Sequence, residues 1–194
     1  MEKEPPVDPE IRWEGAAPTG PLEDDPWVQA VRAELEAEAV ARNRNDFSIP
    51  EFARTATPVY IDRVSANAIE AISNNGRTKL SPGPLPFTPT AVEVGYWNKG
   101  EDFAAVRGCV AGRWATESGV PTGEIDGVGI EYRLERDHDG LMRVSSTSSV
   151  PDLDCGALDP LPTALFDPAP EPSGVTDVRD VVRPDGTTSG PRSR

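Results

Sequence analysis

A change of hydrophobic period part-way along the chain predicts an α+β fold. Before the proline-rich passage KLSPGPLPFTP, apolar residues recur at helical spacing, and from Thr90 onward they alternate every second residue. Helices collected in one third and strands in the next do not give the alternating βαβ order of a parallel sheet. They predict N-terminal helices packed on the one covered face of a four-stranded antiparallel sheet.

Asp25 and Pro26 open the first helix. The aspartate side chain accepts a backbone N–H as an N-cap, and the proline's missing donor costs nothing in the first turn. Trp27, Val28, Val31, Leu35, Ala39 and Val40 then recur near helical spacing over 26–44, while Arg32, Glu34, Glu36 and Glu38 spread over the rest of the helix. A short helix follows Ser48–Pro50, Thr57–Pro58 breaks it, and another runs to about Ser73. Asn74-Asn75-Gly76 ends that helix, because these residues tolerate the left-handed conformation of a C-terminus.

The strands begin with AVEVGYWN and FAAVRGCVAGRW, joined by the turn Asn98-Lys99-Gly100-Glu101. In VGIEYRLE, Val128, Ile130, Tyr132 and Leu134 face one way and Glu131, Arg133 and Glu135 the other. The turn DHDG leads into LMRVSSTSSV, completing a four-stranded meander. Arg107 and Arg113 share one face of the second strand; solubilising an edge is the favoured reading, and an anion-attracting or partner-contacting stripe on the outer sheet surface is the other.

Of the 21 prolines, six lie in residues 1–26 and seven in residues 157–194, where no helical or strand period is sustained. The expected organisation is therefore a disordered, acidic, proline-rich spacer over 1–25, an α+β domain over 26–156, and a proline-rich, largely disordered tail over 157–194. The net charge is −14, of which −6 lies between Trp27 and Cys155. A chain this acidic, with no Lys/Arg cluster, repels phosphate backbones, so no nucleic-acid partner is expected. It also disfavours anionic lipid surfaces, and no apolar run approaches the ~20 residues of a membrane span. The opening MEKEPPVDPE lacks the basic and apolar regions of a signal peptide. Two expectations stay open: a cytoplasmic protein, or an exported one whose signal or membrane anchor is missing from this chain.

Cys109 and Cys155 bear on that choice. They do not form a CxxC pair, a zinc site would need more soft ligands than His138 supplies, and a catalytic thiol would need a base and an orienting group. A Cys109–Cys155 disulfide is favoured over two unrelated buried thiols. If the last strand pairs near the second, the turn after Val150 brings Cys155 back over Cys109. Closing the 46-residue separation then stabilises by about 4 kcal/mol on the chain-entropy model. A structural disulfide argues for an oxidising compartment, and hence for export.

Helices followed by a bent four-stranded antiparallel sheet resemble the cone of the nuclear transport factor 2-like (SnoaL-like) superfamily. More narrowly, the strings DPWVQAVRA, NDFSIPEF, PGPLPFTPTAVEV and LFDPAP are similar to those of uncharacterised actinobacterial cell-envelope proteins and lipoproteins. The resemblance spans about residues 12–170. It implies a sheet curved around the helices, a cone-shaped interior that similar proteins often use for ligands or catalysis, and a cell-envelope location.

Tyr60, Tyr132, Trp97 and Trp114 are the candidates to line such a cavity. The interior is otherwise expected to be apolar, with no acid or base except phenols. Asp137-His138-Asp139 reads as a hairpin turn, and Asp152 and Asp154 lack the ligand ladder of a calcium loop. No phosphate loop, nucleophile elbow or HExxH motif is present. Neither catalytic residues nor metal ligands nor a cofactor is expected. The reading that follows is a non-catalytic cell-envelope binding or scaffolding domain, with an envelope protein or a small ligand as its partner. The alternatives are a small-ligand binder or enzyme using the cone cavity, and a homodimeric structural module.

Overall fold

The structure, a computed structural model, describes residues 8–96, 99–117, 119–122, 126–158 and 161–189. A short strand, β1 (Glu10–Trp13), precedes the helices α1 (Pro26–Arg44), α2 (Pro50–Thr55) and α3 (Pro58–Asn75). Strands β2 (Phe87–Val94), β3 (Phe103–Ala111), β4 (Gly127–Arg136) and β5 (Met142–Ser149) follow, and then β6 (Ala164–Asp167). The α+β class and an antiparallel four-stranded sheet in the order β2-β3-β4-β5 match the change of period. The helices are not strictly N-terminal, because β1 lies ahead of them.

Local chemistry sets the helix ends. The Asp25 carboxylate accepts the Trp27 N–H at 2.8 Å, and Asn45 closes α1 in the left-handed region at φ 52°. Thr57 caps α3, and Gly76, at φ 73°, returns its N–H to Ile72. Along α3, Tyr60, Ile61, Val64, Ala68 and Ile72 form the buried stripe.

The helices cover one face of the sheet. Val106 on β3 stands between Val92 on β2 and Tyr132 on β4, and all three face the core. Phe87 meets Tyr132 edge-on, with ring centroids 5.5 Å apart. Strand β2 starts at Phe87, inside the passage the sequence marks as a separator. Pro89 is tolerated there because β2 is an edge strand and its pairing is broken by an irregularity between Pro89 and Ala91.

Each proline-rich flank contributes one short strand. Strands β1 and β6 pair antiparallel, Ile11 opposite Phe166, and Phe166 donates its N–H to the Pro82 carbonyl. This ribbon covers the side of α1 that faces away from the sheet, with Ile11 and Phe166 joining the core. Further on, Val181 is fully buried, and Val182 exchanges backbone bonds with Asn45 and Phe47. Proline marks the ends of these pieces, Pro9 before β1 and Pro168 after β6. Within them a few apolar side chains supply enough burial to order the backbone.

Candidate functional site

The ribbon buries one side of α1, and Glu34 and Glu38 lie on the opposite side, towards α3 and the sheet, where Tyr60 and Tyr132 are their neighbours. These carboxyls do not face solvent on a polar surface. Glu34, Glu38 and Arg42 recur every fourth residue, so they stack along one line of the helix. Glu34 is wholly buried, and neither of its oxygens receives a donor among the described residues. Glu38 accepts from Arg42 Nε at 2.6 Å and from the Tyr60 hydroxyl at 2.9 Å. The expected interior without acids or bases is therefore corrected.

The electrostatics of the pair follow from burial. Desolvation, and then the neighbouring Glu38 carboxylate, push Glu34 well above the ordinary carboxyl range and favour its neutral form. As an acid, Glu34 becomes a donor to Glu38, which resolves its lack of partners. Burial acts to raise Glu38 as well. The charge of Arg42 and the bonds from Glu34, Arg42 and Tyr60 outweigh it and hold Glu38 below its usual range. Burial and the two carboxyls raise the Tyr60 and Tyr132 phenols, so both stay neutral.

Glu38 and Arg42 lie on the wall of a cleft of about 740 Å³, a volume typical of small-molecule sites. Helix α1 contributes Leu35 and Ala39, α3 contributes Ala68, Ala71 and Asn75, and residues 111–117 contribute Trp114 and Glu117. The fourth wall is the segment between α3 and β2, which carries Arg77, Thr78, Lys79, Ser81 and Leu85. That segment is tied on both sides. Asn43 bonds both the N–H and the carbonyl of Ser81, at 2.8 and 2.7 Å, and Leu80 pairs with Thr116. Trp114 Nε1 donates to the Gly83 carbonyl at 2.8 Å. A Cβ on Gly83 would lie 2.0 Å from the Ala164 carbonyl oxygen, so only glycine lets β6 lie against this wall.

Of the expected cavity residues, Trp114 lines the cleft. Tyr60 reaches its wall only through the bond to Glu38, and Tyr132 sits in the core beneath, edge-on to Phe87. Trp97 lies outside the described residues. His138 is exposed in its turn, where Arg143 bonds both Asp137 and Asp139.

On the opposite face of the sheet a disulfide joins Cys109 and Cys155, with Cα atoms 5.7 Å apart. The route differs from the expected one, since β5 pairs with β4 and not with β3. The chain after β5 crosses over β4 to reach β3. Gly129, directly opposite Cys109, makes room for the Val150 carbonyl, and Gly127 makes room for Cys155 itself. The bridge points to an oxidising, extracytoplasmic compartment. No helix among the described residues is long and apolar enough to cross a membrane.

Arg107 shares this face. It lies on an interior strand and clamps Glu131, which is 5% exposed, together with Arg133 at 2.8 and 3.0 Å. The expected edge role is replaced by a buried carboxylate held between two guanidinium groups. Arg113 lies beyond the end of β3. Comparison with known proteins returns no matching family model, no matching curated protein and no matching solved structure.

Proposed function

We propose that this chain is a non-catalytic binding domain of the cell envelope that holds a small ligand in the cleft between α1, α3 and the residues 77–85. The observation that carries this reading is the cleft itself. Apolar walls of Leu35, Ala39, Ala68, Ala71 and Trp114 surround a charged pair, Glu38 and Arg42, which is fixed from behind by Tyr60. Apolar surface set beside polar groups held in fixed orientation is a make-up that suits a ligand site. Glu38 serves as an anchor and not as a base, because donors from three side chains stabilise its anion and lower its basicity.

Helices laid on the inner face of an antiparallel sheet support a cone of the nuclear transport factor 2-like kind, with the cleft as its mouth. The Cys109–Cys155 bridge supports the exported location. A thermal-shift screen of small amphipathic molecules tests the reading. Stabilising compounds should lose their effect in Ala71→Trp, which fills the cleft from α3. A library without hits, or hits indifferent to that substitution, would refute it.

A further inference from the structure

We infer that the ligand of the cleft is an amphipathic monoanion, an apolar chain or ring system carrying a carboxylate or an equivalent acidic head. The inference rests on the binding reading above and adds the charge and polarity of what is bound.

The charge of the cleft opposes that of the chain. The molecule carries a net −14, yet the cleft presents three cations, Arg42, Arg77 and Lys79, against the carboxylates of Glu38 and Glu117. Both carboxylates are engaged, Glu38 by Arg42 and Glu117 by Arg77 at 2.6 Å. Lys79 has no ion pair among the described residues.

Arg42 supplies the directional part. Only its Nε is used, on Glu38 Oε1. Its two Nη groups have no hydrogen-bond partner among the described residues, although the side chain is partly buried and lines the cleft. A guanidinium held by a carboxylate at Nε keeps its end-on fork for a second planar anion, and two parallel N–H···O bonds fit a carboxylate. Glu38, itself fixed by Tyr60, thus orients Arg42 towards the cleft. Lys79 and Thr78 stand on the adjoining wall, where the head group leaves the protein.

Beside these groups and the polar side chains of Asn75 and Ser81, the lining leaves room for an apolar body. Leu35, Ala39, Ala68, Ala71, Leu85 and Trp114 give small and aromatic surfaces without charge. The alanines at 39, 68 and 71 leave volume that larger side chains would fill. An uncharged apolar molecule would leave the Arg42 fork desolvated and unpaired, and a cationic one would meet it with repulsion.

The test uses three probes of equal chain length, decanoate, decan-1-ol and decylammonium, titrated calorimetrically below their micellar concentrations into the oxidised full chain. Decanoate is expected to bind at one saturable site, about tenfold or more tighter than the alcohol, with no saturable uptake of the ammonium. Ala71→Trp should abolish binding. Lys79→Glu, an exposed change that leaves the fold intact by circular dichroism, should weaken decanoate and leave the alcohol unchanged. Equal affinities for decanoate and decanol, both lost in Ala71→Trp, would overturn the anionic ligand while leaving the binding site standing. Preference for decylammonium would overturn it as well. Absence of binding by all three probes, or binding that survives Ala71→Trp, would overturn the site and the head-group assignment together.

Discussion

Glu34 and Glu38, one helical turn apart on α1, form a carboxyl pair with divided roles: the deeper member is driven towards its acid form, and the outer one is held as an anion on the wall of the cleft. The division follows from what surrounds each group. Burial and the neighbouring carboxylate dominate at Glu34, where Arg42 acts more weakly, whereas Glu38 has the Arg42 guanidinium within 2.6 Å. One proton on Glu34 therefore satisfies both residues, and a second negative charge at this depth is disfavoured.

Replacing Glu34 by Gln keeps a donor towards Glu38 and removes the ionisation. Because the folded-state pKa of Glu34 is raised, its stabilising contribution is full below the unfolded value of about 4.3 and is lost as pH rises towards the folded value. Glu34→Gln should therefore melt higher than the parent at pH 8, by about 2–4 °C for each 1 kcal/mol gained in a chain of this size. The difference should shrink at pH 5. Melting curves at the two pH values check this, and a variant destabilised equally at both would disprove the assignment.

Tyr60→Phe removes the hydroxyl that donates to Glu38 and leaves the ring in place. A hydrogen bond to a charged acceptor contributes about 1.5–3 kcal/mol, so urea denaturation at pH 7 should show a loss of that order. The acid limb should move as well. The depressed pKa of Glu38 stabilises the fold above about pH 4.3, and that contribution is lost as pH falls through the folded value. With one donor gone the folded value rises, so acid unfolding should set in at higher pH. An unchanged acid limb would mean that the Tyr60 bond does not hold the Glu38 anion.

Much of this fold is written locally. Asp25-Pro26, Thr57-Pro58 and Gly76 mark helix ends through cap chemistry, and the period of two in VGIEYRLE places Tyr132 and Leu134 on the core face. The carboxyl pair escapes a reading that assigns charge to solvent. Yet Glu34 and Glu38 stand three and seven residues after Val31, on the apolar stripe itself, and that spacing was the available signal. The ribbon escapes for a different reason. Its strands have four residues each and lie about 150 residues apart, so no local period announces their pairing. The glycines of GVG carry their meaning only once the crossing over β4 is known.

Phe166, in the proline-rich tail, packs into the core from the outer side of α1. Phe166→Ala should cost about 3–5 kcal/mol, the range for a fully buried phenylalanine. A residue in a disordered tail would cost nothing. Limited proteolysis supplies an independent readout, since cleavage between residues 161 and 182 should be slow in the parent and fast in the variant. Rapid cleavage there in the parent, with an unaltered thermal transition, would show that the ribbon and tail do not belong to the core.

Gly129 and the disulfide should fail together. A Cβ at Gly129 would lie 2.1 Å from the Val150 carbonyl oxygen and 2.8 Å from the Leu153 Cβ, neither of which is a flexible side-chain end. The crossing segment must lift off β4 to admit it, which draws Cys155 away from Cys109. Gly129→Ala should therefore destabilise by more than about 2 kcal/mol and slow reoxidation of the reduced chain. At Gly156, one residue past the bridge, an added methyl meets its nearest neighbour at 3.5 Å, so Gly156→Ala should be close to neutral. Replacing both cysteines by alanine should cost about 4 kcal/mol, from the loss of a cross-link between residues 46 positions apart. Gly129→Ala in that background should recover part of its penalty, since the segment is then free to move. Chemical denaturation of the four proteins completes a double-mutant cycle, and strict additivity would show that the glycine does not act through the bridge.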